Sequence, residues 1–326
     1  MIKKNLLVIG MTAAFLAACG NTEDASTSNE PKEEKKTEEV AKEEAAPTEQ
    51  TITYLDQSYT LPAEVNNIIA ASLEAMEDAA ILGVKPLGAV TTAGELPAYL
   101  AADLEGATSI GEKTEPNYET ILSLKPDVIL GSSKYKEEVV EQLNKIGTMI
   151  PVSHISTNWE DNLLLMGTLS GKTAEAEKII ADYKADAEEA KTKLSANLQD
   201  KEVFVIRVRQ GSMFVYPADV YLNPVIYNDL GVKVPELIAK TAAQEEISLE
   251  TLADVNPDII FLQFEQSENK DNPAALDDLL KNPIFQSIDA AKNEQIFVNA
   301  VNPMAQGGTA WSKVNFLRAA VENLSK

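Results

Sequence analysis

The sequence predicts an α/β fold of two similar lobes, each built on a mainly parallel sheet, joined by a long α-helix. Three observations point there. Short apolar runs alternate with helical patterns through both halves of the 326 residues, the order expected of parallel strands with crossover helices. Residues 119–129 read ETILSLKPDVI and residues 250–260 read ETLADVNPDII. Each places Glu seven residues before Pro-Asp, with a helix that the proline stops and an apolar strand after it. Between the two, residues 172–198 read KTAEAEKIIADYKADAEEAKTKLSANL, with Glu and Lys at helical spacing and few apolar positions.

Taken in order, the elements begin outside the lobes. Residues 1–19, MIKKNLLVIGMTAAFLAAC, carry two lysines, a short apolar run and small residues before a cysteine. That is a secretory signal rather than a membrane-spanning helix. Residues 20–50 hold ten acidic and four basic side chains and almost no large apolar ones, so they read as a disordered acidic tether. An N-terminal lobe follows over 51–171. TITYLDQSYTLP alternates as a hairpin does, NNIIAA, KPLGAV, PDVIL and TMIPVS read as strands, and LEAMEDAAILG, NYETILSL, YKEEVVEQLNKIG and 159–170 as helices. The helix over 172–200 is charged around much of its circumference, as one bridging two lobes would be; a solvated helix on one lobe has the same pattern. A C-terminal lobe over 201–326 restarts with VFVIRVR.

The formal net charge is −23, most of it after residue 50. An acidic body of this kind excludes nucleic acid and anionic membrane surfaces as general partners, since both need a basic face. Against that background Arg207 and Arg209 stand out. In a strand they share one face, opposite Phe204, Ile206 and Val208, and they sit near its carboxyl edge, where open α/β sheets border a crevice. Guanidinium groups there suit an anion with planar oxygen donors. The alternative is an edge strand charged against aggregation.

Catalytic and metal chemistry find little support. His154 is the single histidine, Cys19 the single cysteine, and no G-x-S-x-G elbow is present. A zinc or manganese site lacks its ligands, although an all-carboxylate site stays open. His154, following a strand, could approach the crevice, but a structural hydrogen-bonded role fits it better. Gly307-Gly308 lacks the spacing of a phosphate loop and reads as a flexible lead-in to a helix capped by Thr309.

Leu16-Ala17-Ala18-Cys19 resembles a lipobox. Together with the acidic tether, the paired Glu/Pro-Asp elements, the mid-chain helix and the ending GGTAWSKVNFLRAAVENL, the chain resembles the iron-siderophore and cobalamin substrate-binding lipoproteins of ABC importers in Gram-positive bacteria. RVRQGSMFVYP followed by NPVIYNDLGVKVPE resembles most the subgroup that binds ferric hydroxamate and citrate-derived siderophores. The resemblance implies a non-enzymatic, monomeric receptor, anchored through lipidated (palmitoylated) Cys19 on the outer face of the cell membrane. It would use no cofactor and hold a ferric siderophore in a cleft between the lobes. Its partner would be an ABC permease dimer with a cytoplasmic ATPase. The ligand would supply the iron's own donors. Lys113 and Lys134, read alone as surface lysines, become ligand-facing by resemblance. With Arg207 and Arg209 they would form a cationic rim, with Tyr135, Tyr216, Gln263, Phe264, Met304 and Trp311 around it. Glu119 and Glu250 would pair with permease arginines, whereas by position alone they are helix N-terminal charges. VNPMAQGGTAW carries no arginine, which disfavours a highly charged polycarboxylate ligand and favours a citrate-hydroxamate. A cobalamin or haem receptor of the same fold, or a surface hydrolase, are the other readings.

Overall fold

The computed structural model describes residues 48–325; the signal segment, Cys19 and the tether through residue 47 lie outside the described residues. The expected hairpin forms as β1 (Glu49–Tyr54) and β2 (Gln57–Pro62), paired antiparallel from Glu49↔Pro62 to Tyr54↔Gln57. Leu55 and Asp56 close it at φ 46° and 62°, the left-handed pair that a two-residue turn matching strand twist requires. The ladder starts at Glu49, so the fold begins two residues before the expected boundary. Ile52, Tyr54 and Leu61 are buried, which is the apolar face of the alternation.

The first sheet runs in the order β6-β5-β4-β3-β7-β8, with β3 (Ile68–Ala71), β4 (Gly88–Thr91), β5 (Thr108–Glu112), β6 (Glu115–Pro116), β7 (Val128–Ser132) and β8 (Met149–Val152). Every pairing is parallel except the short β5–β6 turn-back. Helices α1 (Leu73–Ile81), α2 (Tyr118–Ser123) and α3 (Glu137–Asn144) fill the crossovers, and α4 (Trp159–Leu169) follows. Side-chain caps start α1 at Ser72 and α2 at Asn117.

Helix α5 (Thr173–Leu198) buries Ala176, Ile180, Tyr183, Ala187, Ala190, Leu194 and Leu198, one stripe with three- and four-residue steps. That stripe packs on α4 of the first half and on α11 (Ala310–Leu324) at the chain end. It therefore bridges, as the first of the two readings expected.

The second sheet runs β11-β10-β9-β12-β13, with β9 (Val203–Arg209), β10 (Ser212–Val215), β11 (Glu245–Ile247), β12 (Ile259–Phe264) and β13 (Ile296–Val298). Strands β9, β12 and β13 are parallel, while β10 and β11 add antiparallel pairings. Gln210 and Gly211, both at positive φ, turn β9 back on itself where a crossover was expected. Small helices α6 (Glu236–Lys240), α7 (Leu249–Val255), α8 (Ala275–Lys281), α9 (Pro283–Gln286) and α10 (Asp289–Lys292) cover this half.

The repeated elements have a shared physical basis. α2 leads to β7 and α7 to β12, with Lys125 and Asn256 left-handed (φ 49° and 52°) ahead of each Pro-Asp. Asp127 Oδ2 accepts the backbone N–H groups of Asn66 and Asn67, both at 2.8 Å. Asp258 Oδ2 likewise accepts Glu202 N–H at 2.9 Å. In each half the aspartate thus clamps the residues just before the neighbouring strand.

Candidate ligand cleft

The carboxyl ends of the parallel strands open onto a cavity of about 750 Å³ that residues from both halves of the chain line. Lys113 follows β5, Lys134 and Tyr135 follow β7, and Arg209 ends β9; Gln244 and Gln306 close it from the second half. Four of the residues expected at the rim are therefore brought together: Lys113, Lys134, Tyr135 and Arg209.

Local structure fixes each of them. Lys113 N–H donates to Thr91 O at 3.0 Å, which ties its loop to β4. Burial lowers its ammonium pKa, an effect opposed by Glu268 and reinforced by Arg207, Arg209 and Lys134. Lys134 Nζ lies 3.4 Å from Oε1 of Glu74, whose side chain is only 3% exposed. Tyr135 donates its hydroxyl to Ala71 O, and burial raises its pKa, so it serves as a neutral wall. Arg209 Nη1 donates to Gln244 Oε1 at 2.9 Å, and Tyr216 OH reaches the same oxygen at 3.2 Å.

Arg207 corrects the expectation. It is 8% exposed and does not line the cavity. Its Nε and Nη2 meet Glu268 Oε2 at 3.0 and 2.9 Å, and its guanidinium lies 5.4 Å from the centre of the Tyr221 ring. Alternation correctly put both arginines on one face. It carries no information on depth, and Arg207 sits one pair further into the sheet.

Other expected contacts are also interior. Gln263, Phe264, Met304 and Tyr216 are buried and absent from the lining. Phe264 is held through its backbone by Asn299, and Gln263 reaches Val301 O at 3.4 Å. Trp311 packs on Tyr99 with ring centres 5.0 Å apart and borders a separate shallow groove. Gly307 is no flexible lead-in. At φ 77° it lets the chain approach Tyr221 so closely that a Cβ would fall 2.1 Å from Tyr221 O. Thr309 does cap α11, accepting Ser312 N–H at 3.1 Å. Glu119 and Glu250 are exposed, each in the first turn of its helix after the Asn117 and Ser248 caps, and lie outside the cavity.

His154 has the structural role expected of it. Its backbone N–H donates to Ser133 Oγ, and its Nδ1 lies 2.9 Å from the same oxygen. Burial and Lys134 lower its pKa, so the ring is neutral at pH 7. Although this is a serine–histidine pair, no carboxylate is bonded to the ring among the described residues. Nor does any group of three or more His, Cys, Asp or Glu side chains gather as a metal site there.

Sequence reasoning missed Gln244, Gln306, Tyr118 and Glu74 in the lining, and Glu268 behind it. Neutral loop glutamines leave no compositional signal. Glu74 has one, a glutamate opening α1 directly after a strand, but it reads equally as helix N-terminal charge.

The family model described as periplasmic binding protein matches residues 68–300. The chain is 45% identical over 321 residues to the iron-uptake system-binding protein of Bacillus subtilis, covering 98% of each. It is 29% identical over 298 residues to the probable siderophore-binding lipoprotein YfiY of the same organism, covering 88% of this chain and 87% of that one. Among solved structures, the triscatecholate siderophore binding protein FeuA of Bacillus subtilis, complexed with ferri-bacillibactin, is 49% identical with a TM-score of 0.81. That match covers 85% of this chain and 98% of FeuA.

Proposed function

The chain belongs to the periplasmic binding protein family, and from that premise we propose that it is an extracytoplasmic receptor which captures a ferric siderophore and delivers it to an ABC permease. The observation that carries this reading is the cavity of about 750 Å³ with Lys113, Lys134 and Arg209 converging on it from both halves of the chain. A siderophore that saturates its iron presents an anionic, oxygen-rich surface. Ammonium and guanidinium donors in a part-buried cleft match that surface through charge-assisted hydrogen bonds. Glutamine and tyrosine supply neutral donors and ring faces.

The siderophore class follows from charge and similarity together. A ferric triscatecholate carries three negative charges, and four basic side chains, Lys113, Lys134, Lys136 and Arg209, line the cavity, which suits a trianion better than an uncharged ferric trishydroxamate. FeuA, whose complex is with a triscatecholate, shares 49% identity with this chain. Both considerations favour a triscatecholate over the hydroxamate or citrate-hydroxamate ligand that the sequence suggested. In this reading the siderophore supplies every iron ligand and the receptor performs no bond chemistry. Lipidated Cys19 holds it on the outer membrane face, and Glu119 and Glu250 meet the permease dimer. Among the described residues no helix is long and apolar enough to cross a membrane.

The test is intrinsic fluorescence quenching with a panel of ferric complexes: a triscatecholate, a trishydroxamate and a citrate-hydroxamate. Saturable quenching by the triscatecholate at concentrations well below those of the other two is expected. Absence of saturation with all three would remove the siderophore reading, and preference for a hydroxamate would restore the subclass read from sequence.

A further inference from the structure

Glu268 does not line the cavity, yet its carboxylate connects to cations that do. Oε2 takes both Nε and Nη2 of Arg207 at 3.0 and 2.9 Å, and Oε1 lies 3.4 Å from Nε of Arg209. The side chain is 11% exposed. Among charged groups, Glu268 also acts most strongly on Lys113, which comes from the other half of the chain. One largely buried carboxylate thus pairs with both guanidinium groups of β9 and supports the charge of Lys113 from across the cleft.

Resting on the siderophore-receptor reading, we propose that Glu268 is a positioning residue for ligand capture: it fixes the Arg209 guanidinium from behind the cleft and acts as shared counter-ion of the cations that face the ligand.

Arg209 is gripped twice, Nε by Glu268 and Nη1 by Gln244. A guanidinium held in one orientation loses little side-chain freedom when an anion arrives, which favours binding. Arg207 completes the arrangement. Its buried charge needs Glu268, and Glu268 needs it in turn, so the pair forms a fixed base for Arg209.

Lys113 gives the idea a distinct signature. Its ammonium is disfavoured by burial and by Arg207, Arg209 and Lys134, and supported by Glu268. The remaining carboxylates nearby are otherwise engaged or at the margin. Glu74 faces Lys134, Glu112 accepts from Thr91, Ala93 and Gly94, and Glu115 borders the cavity. Affinity for a polyanion therefore falls on the alkaline side as Lys113 loses its proton. Without the Glu268 charge that fall comes earlier.

The experiment measures the dissociation constant of ferri-bacillibactin from pH 7 to 10.5 for the wild type, Glu268→Gln, Lys113→Arg and Glu268→Asp. An alkaline loss that Lys113→Arg removes, and that Glu268→Gln moves to lower pH, supports the proposal. A Glu268→Gln profile superimposable on the wild type overturns it. If Glu268→Gln does not fold, Glu268→Asp decides. It keeps the charge but is too short to reach both guanidinium groups, so several-fold weaker binding with the alkaline loss in place supports the positioning role, and unchanged binding overturns it. Wild-type protein that binds no ferri-bacillibactin at any pH removes the receptor reading, and this inference falls with it.

Discussion

At the scale of single residues, two arginines two positions apart do different physical work. Arg209 is 37% exposed and borders the cavity, whereas Arg207 is buried against Glu268 and Tyr221. Replacing Arg209 by alanine should remove one charge-assisted contact to ligand, about 1.5–3 kcal/mol, a loss of roughly ten- to over a hundredfold in affinity. The melting temperature should stay close to that of the wild type. Arg207→Ala should act mainly on the fold, because it removes the nearest partner of a carboxylate that is only 11% exposed and leaves it the longer contact to Arg209. Breaking such a pair costs about 3–5 kcal/mol, readable by denaturant unfolding. An Arg207→Ala protein as stable as the wild type but unable to bind would return Arg207 to the ligand rim. The contrast shows what strand alternation conveys. It assigned the face of both side chains and the crevice they border, but the depth of each depends on which strands flank it. Here those are β10 and β12, and β10 was not foreseen. Lys113 and Lys134 were legible only through the family resemblance, with Tyr135 placed by its position beside Lys134; read alone, the two lysines are ordinary surface lysines. Phe264, at the end of β12, and Met304, on a loop after β13, turn inward because large apolar side chains find cover there.

At the scale of elements, the joint between α1 and the start of α11 ties the two halves of the chain. Glu77 on α1 accepts hydrogen bonds from Tyr99 OH, Gln306 N–H, Thr309 OH and Ser312 OH, and Asp78 accepts Ala310 N–H at 3.1 Å. Both carboxylates therefore meet the N-terminal end of a helix, where negative charge is favoured. Burial nevertheless wins for Glu77 and pushes its pKa up to about 7; Asp78 is also raised by burial, despite its backbone bond. A carboxyl group whose folded pKa lies above its unfolded value contributes stability that is fully present below about 4.5. That contribution is lost as pH rises through about 7. Wild-type stability relative to Glu77→Gln should accordingly decline between pH 5 and pH 8, by up to roughly 3 kcal/mol. A pH-independent difference would show that Glu77 is ionised throughout. None of this joint was visible in LEAMEDAAILG, which reads as an ordinary amphipathic helix with acidic residues. The elements themselves were largely legible. Strand alternation, apolar runs and Pro-Asp stops marked β1 to β4, β7 to β9 and β12, with helices α1 to α5 and α7. β5, β6, β10, β11 and β13 were not. They are short, and the pairing of β11 and β13 depends on partners far away in sequence.

At the scale of the whole molecule, the two halves present related surfaces. Capture and delivery can therefore be separated experimentally. The anchor comes first: Cys19 lies outside the described residues, and Cys19→Ala should release the protein to the medium, with membrane retention of that variant arguing against lipidation there. The proposed delivery step concerns Glu119 and Glu250. Each occupies the first turn of a short helix, α2 or α7, after an equivalent side-chain cap, and each helix runs into the same left-handed residue, Pro-Asp clamp and parallel strand. The clamp accounts for the repeated Pro-Asp as a folding device. It does not account for the glutamates, which are exposed and bonded to nothing among the described residues. As helix N-terminal charges they are worth only about 0.3–1 kcal/mol each. Apolar surface accompanies both. Leu122, one turn beyond Glu119, is 60% exposed, and Ile284, on the α9 helix packed against α7, is 40% exposed. An exposed glutamate on a helix that carries, or packs against a helix that carries, an uncovered aliphatic side chain occurs twice, and suits a partner with two similar basic sites, as the proposed permease dimer would have. In Glu119→Ala/Glu250→Ala, ferric siderophore affinity should equal that of the wild type while transport into cells falls by tenfold or more. Full transport would assign both residues to helix termini alone, and a parallel loss of affinity and melting temperature would make them structural.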